Sequence, residues 1–186
     1  MNTLNHNALL RDVLASLPIA GTEPTLDMEK PVSGGYIPAG EDRFQQDRQV
    51  LGSMTLDYKV STQDTDGRFF LFEQTSSYKG GPPRHIHPDQ DEFFYILAGE
   101  YLFEAGDQQY RLGSGDFLFV PRGTVHAFTR LGDETGRLLT AFQPAGKMEG
   151  YFNELAKWED FPPREVLEDL FNRYGMQVVG PPLEVE

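Results

Sequence analysis

The sequence predicts an all-β fold, a sandwich or barrel of short strands, with an irregular arm before it and short helices after it. Three observations carry this. Residues 54–60 alternate strictly, with Met54, Leu56, Tyr58 and Val60 apolar and Thr55, Asp57 and Lys59 polar between them, the period of a half-buried strand. Short strand-like runs then follow at regular intervals: RFFLFEQ, EFFYILAGEYLFEA, QQYRL, DFLFVP, VHAFTR and RLLTAFQ, punctuated at Asp66-Gly67, Ala105-Gly106-Asp107 and Gly132-Asp133. No helical pattern separates these runs, which argues against a parallel α/β sheet.

Taken from the N-terminus, Leu10, Val13, Leu14 and Leu17 recur at helical spacing before Pro18, predicting a short amphipathic helix. Residues 18–50, rich in Gly, Pro and charge, read as an irregular arm. The expected division is therefore helix and arm over 1–50, barrel over 51–145, and a helical tail over 146–186 packed on the barrel. In that tail Tyr151, Phe152 and Leu155 share one helical face, and Val166, Leu167, Leu170 and Tyr174 share another. Pro163 suits a first turn and Gly175 a stop.

Composition narrows the function. The chain has 186 residues, no cysteine and a formal net charge of −13. Without cysteine there are no disulfides or thiolate nucleophiles, and any metal must be held by imidazole and carboxylate. The acidic balance, with no Lys/Arg cluster, opposes nucleic acid and anionic lipid as partners. No leader pattern or membrane-length apolar run is seen, so a cytoplasmic protein is expected.

Three of the four histidines fall in two short stretches. His85 and His87 are two apart, so on an extended segment both imidazoles point to one face. Glu92 follows five residues later, after Pro88-Asp89-Gln90-Asp91, a turn able to bring its carboxylate back. His126 has to arrive from a separate strand. His6, in a polar stretch, reads as a solvated surface residue.

Written out, HIHPDQDEFFYILAG and GDFLFVPRGTVH resemble the paired motifs of the cupin superfamily, over about residues 68–143. Two positions depart from that pattern: Lys79 stands where the first motif opens with Gly, and Arg130 where the second ends with Asn. Neither is a ligand position in the family. The resemblance implies a jelly-roll β-barrel (double-stranded β-helix) with His85, His87, Glu92 and His126 holding one divalent transition metal per chain. Imidazole and carboxylate suit Fe, Ni, Mn, Co, Cu or Zn alike. Gly99, Gly115, Gly123 and Pro121 read as scaffold at strand turns.

If Glu92 faces inward, alternation places Phe94 and Ile96 on the same face, and His126 brings Phe128, giving an apolar substrate pocket. The resemblance points further to a quercetinase-type dioxygenase using O2 on a small planar or enolisable organic substrate, with Glu92 also acting as base. The alternatives are an isomerase or lyase acting on a sugar or keto acid, and a non-catalytic ligand-binding cupin. A phosphorylated sugar needs basic residues, and only Arg84, Arg122 and Arg130 lie near the motifs. A homodimer is expected.

Overall fold

A computed structural model describes residues 34–184. The predicted helix around Leu10–Leu17 and the first part of the arm lie outside them.

Among the described residues eleven strands form two antiparallel sheets. The first sheet has the order β1 (Gln49–Val50), β2 (Met54–Val60), β3 (Phe70–Ser76), β10 (Gly136–Gln143), β5 (Asp91–Ala98), β8 (Phe117–Val120). The second runs β11 (Gln177–Pro182), β4 (Pro83–Ile86), β9 (His126–Leu131), β6 (Glu100–Ala105), β7 (Gln108–Leu112). Strands near in sequence are dealt alternately to the two sheets, as β3 to the first, β4 to the second and β5 back to the first. That is the jelly-roll, or double-stranded β-helix, arrangement, which lets side chains from two walls meet in one interior.

The alternating segment forms β2 over the residues predicted. Leu56 and Tyr58 are buried at its centre, and Met54 and Val60 are half-buried at its ends. The long run over 92–105 is two strands, broken at Gly99. Its φ is +83°, and a Cβ there would come within 3.0 Å of the Gly136 Cα, so glycine is required twice over.

The described part of the arm departs from the expected loose connection. Asp42 is buried and accepts hydrogen bonds from the backbone N–H groups of Phe44 (2.7 Å) and Tyr58 (2.8 Å) and from the Arg48 guanidinium (2.7 Å). Arg48 in turn lies 3.6 Å from the centroid of the Tyr58 ring. Burial opposes ionisation of Asp42, but these donors outweigh it and hold the carboxyl below its ordinary value. The arm is thus fastened to β2 by a satisfied buried pair that hydrophobic patterning does not reveal.

The tail holds two helices, α1 (Met148–Leu155) and α2 (Arg164–Arg173). Pro163 caps α2 and Gly175 follows it at φ +87°. On α2 the burial falls on Leu170 and Phe171, whereas Val166 is exposed. The tail is also not helical to its end, because β11 pairs antiparallel with β4, Val178 opposite His85. Two apolar clusters result. Phe94, Ile96, Tyr101, Phe103, Val120 and Leu138 pack between the sheets. A second cluster joins Leu56, Tyr58, Phe70, Phe72 and Phe142 of the first sheet to Met148, Tyr151, Leu155, Leu170 and Phe171 of the helices.

Candidate metal centre

The ligand candidates come from both walls. His85 lies on β4 and His87 just beyond it, and His126 opens β9 directly across from His85. Glu92 is on β5 in the opposite sheet. All four are buried, and one ligand atom from each can be chosen so that the set lies within 4.8 Å of one another. The imidazole centroids of His85 and His126 are 4.2 Å apart, and that of His87 lies 5.0 Å from His85 and 5.4 Å from His126. Ala105 stands opposite His126 on β6 and leaves room for the ring.

Hydrogen bonding orients the rings. His85 Nδ1 lies 2.8 Å from the Pro83 carbonyl and His126 Nδ1 lies 2.9 Å from the Thr124 carbonyl. A carbonyl only accepts, so both rings donate from Nδ1. In a neutral ring the Nε2 lone pair then faces the interior, the tautomer a metal requires. At His126 that lone pair meets Glu92 Oε2 at 2.8 Å, and His87 Nε2 approaches the same oxygen at 3.4 Å. Acceptor against acceptor at 2.8 Å is repulsive unless a cation, either a second proton on His126 or a metal ion, lies at the cluster. His87 Nδ1 and Gln90 Oε1 are buried with no hydrogen-bond partner. No lysine or arginine is paired with Glu92 among the described residues. The donor set therefore fits a divalent transition metal.

The titration behaviour has the same origin. Burial, reinforced by the neighbouring imidazoles, drives His85 well below its ordinary value and keeps it neutral. Burial likewise lowers His87, against the pull of the Glu92 charge. For His126 burial acts downward, but the hydrogen bond and charge of Glu92 win and raise it. Without metal, His126 is thus the ring that takes up a second proton and holds it against Glu92.

Beside the cluster is a cavity of about 100 Å³ whose walls include His85, His87 and Glu92. Phe94 and Phe128 line it as well. Ile96, expected beside them, lies one layer further in, fully buried in the packed cluster and away from the cavity wall. What strand periodicity missed is the opposite wall. Tyr151, Phe152 and Leu155 of α1 and Phe171 of α2 close the cavity, and the Phe171 ring packs edge-on to His85 at 5.3 Å. The helical spacing of Tyr151, Phe152 and Leu155 signals a buried face without saying what that face covers. Tyr78 and Phe161, both partly exposed and 5.2 Å apart, stand at the cavity's edge.

Among the described residues, no lysine or arginine lines the cavity. Arg84 is paired with Glu104, and Arg122 with Asp91 at 2.8 Å. Arg130 is buried, its guanidinium donating to the carbonyls of Ser77, Tyr78, Leu131, Gly132 and Glu134. The arginine standing where the motif has Asn is thus a clamp on two loops.

Residues 73–142 match the family described as Cupin domain. A quercetin 2,3-dioxygenase of Bacillus subtilis (strain 168) is 28% identical over 121 residues, covering 65% of this chain and 35% of that protein. A probable oxalate decarboxylase of Arthroderma benhamiae is 27% identical over 167 residues, covering 81% of this chain and 41% of the other. This chain therefore spans well under half the length of either relative. Among solved structures, a predicted oxalate decarboxylase from Thermotoga maritima aligns with a TM-score of 0.46 at 18% identity, over 49% of this chain and 80% of that one. No helix among the described residues is long and apolar enough to cross a membrane.

Proposed function

This chain belongs to the cupin superfamily, and from that premise we propose that it is a metal-dependent dioxygenase acting on a small, uncharged, planar or enolisable substrate of the flavonol, catechol or diketone type. The observation that carries the reading is a buried His/Glu cluster, three of whose four residues line an apolar cavity with no cationic side chain in its wall among the described residues. An oxalate dianion or a phosphorylated sugar entering that space finds the ion as a cationic partner but, among the described residues, no lysine or arginine in the wall for its second charged group, a desolvation cost that a neutral aromatic molecule avoids. This weighs against the decarboxylase and sugar-isomerase readings, although both classes occur on cupin barrels.

In this proposal His85, His87, Glu92 and His126 hold one divalent ion per chain, with the Nδ1–H bonds to Pro83 and Thr124 keeping two of the imidazoles aimed. When bound, such an ion supplies a Lewis acid for a hydroxyl or enol oxygen and, if redox-active, a means of engaging O2. Phe94, Phe128 and the helical wall orient a flat substrate and exclude water. Glu92 has two tasks: Oε2 is the oxygen both imidazoles approach, while Oε1 forms no hydrogen bond among the described residues and is free to take the substrate proton.

Oxygen uptake by metal-loaded protein against flavonols, catechols and β-diketones tests this. Consumption with at least one class is expected. No uptake with any of the six metals returns the chain to the isomerase, lyase or binding-protein readings. Glu92→Gln that keeps its metal and full turnover removes the base role. The proposed assembly is a homodimer, for which the exposed Tyr95, Phe117 and Phe119 on β5 and β8 offer an apolar face. Sedimentation as a monomer at micromolar concentration refutes it.

A further inference from the structure

Most polar groups around the cavity belong to barrel strands, but one belongs to the tail. Tyr151 on α1 is almost wholly buried and lines the cavity. Its ring is fixed by edge-on contacts with Phe152 (5.0 Å), Phe171 (5.3 Å) and Tyr174 (5.9 Å). Its hydroxyl, however, forms no hydrogen bond among the described residues.

Comparison with the other buried phenols shows what this means, since a buried tyrosine hydroxyl ordinarily finds a partner. Tyr58 is bonded to Asn153 Oδ1 at 3.1 Å. Tyr101 lacks a partner, but its oxygen is sealed in the packed end of the barrel, against Gly136. The Tyr151 oxygen is not among the sealed polar atoms. It is held on a rigid ring in the cavity wall, which Glu92 also lines. A phenol ionises only at about pH 10, so at neutral pH this hydroxyl carries its proton and can donate. Of the other neutral polar side chains in the wall, Gln74 already directs its amide to Met54 Sδ at 3.5 Å.

We propose that Tyr151 is a specificity-determining hydrogen-bond donor, whose phenol binds a second oxygen of a neutral aromatic ligand while the first oxygen faces the His85–His87–Glu92–His126 cluster. The inference rests on the neutral-aromatic reading above and adds a ligand class: adjacent oxygens on a ring, the second one recognised by the tail. An unsatisfied donor in the wall predicts selection against rings with a single oxygen, which leave the phenol desolvated and unpaired.

The test is calorimetric binding to the zinc-loaded full chain, with catechol and phenol as probes and Tyr151→Phe as the variant. The ring contacts survive in Phe, so only the hydroxyl is lost. Catechol binding is expected to weaken by about tenfold while phenol binding changes less than about twofold. Equal losses for both probes make Tyr151 a packing residue and overturn the inference, as does no change for either. If the wild-type protein binds neither probe, the neutral-aromatic reading itself falls and the inference with it.

Discussion

The two ends of the barrel interior are built from the same strands and differ in what those strands place inside. Along β9 the inward positions are His126, Phe128 and Arg130, and along β5 they are Glu92, Phe94 and Ile96. Opposite β9 on β6 stand Ala105, Phe103 and Tyr101. At one end, Phe103 meets Phe94 at 4.8 Å and Phe128 at 5.1 Å, and Arg130 clamps the loops beyond, leaving solid packing. At the other end, small Ala105 faces His126, the second sheet supplies imidazoles in place of aromatics, and helices close the space in place of side chains. One barrel thus combines a filled end that supplies rigidity with a roofed end that supplies a site, and the changeover takes a single two-residue step along each strand.

If the ends are separable, changes at each should affect different observables. The largest effect is expected from His85→Ala, which removes a neutral buried candidate ligand without stranding a charge. Metal affinity should fall by more than about 100-fold, while the urea stability of the metal-free protein changes by less than about 2 kcal/mol. At the filled end the pattern inverts. Phe103→Ala should cost about 3–5 kcal/mol in urea unfolding through the cavity it leaves, with metal content per folded chain unchanged. Arg130→Met should cost about 2–4 kcal/mol by removing the side chain's hydrogen bonds to five loop carbonyls, again with metal retained. Loss of metal from the folded Phe103→Ala protein would show that the two ends are not independent.

The pH dependence sharpens the same contrast. In the metal-free protein His126 is raised, so it carries a second proton at and somewhat above its ordinary pKa of about 6.5. A metal ion has to displace that proton. Affinity should therefore weaken as pH falls through the raised value, and titration calorimetry in two buffers of different ionisation enthalpy should detect proton release near neutral pH. For metal-free stability the signs oppose one another. His126 contributes stability that is full below about pH 6.5 and lost as pH rises through its higher folded value, whereas His85 and His87, lowered by burial, contribute stability lost on acidification. Two rings against one predict a net loss of stability towards acid. The smallest effect belongs to Val166→Ala on the exposed face of α2, within about 0.5 kcal/mol of wild type.

The four-residue candidate cluster is legible in the sequence because it rests on local rules. Strand alternation puts His85 and His87 on one face and Phe94 beside Glu92, and the two motifs supply the spacing to His126. Fold class was legible for the same reason. What escaped depends on contacts distant in sequence. No period in 146–186 says that β11 will pair with β4, that Phe171 will pack on His85, or that Tyr151 will wall the cavity. Ile96 shares its parity with Glu92 and still misses the cavity, because alternation fixes the face of a residue and not its depth. Arg130 departs from the motif, and the five carbonyls its guanidinium binds come from loops that no local pattern brings together.

The most direct measurement is elemental analysis of the full chain purified without chelators, alongside the His85→Ala variant. The account predicts about one divalent transition-metal ion per wild-type chain and almost none in the variant. A wild-type protein that stays metal-free after equilibration with each of iron, nickel, manganese, cobalt, copper and zinc would contradict it.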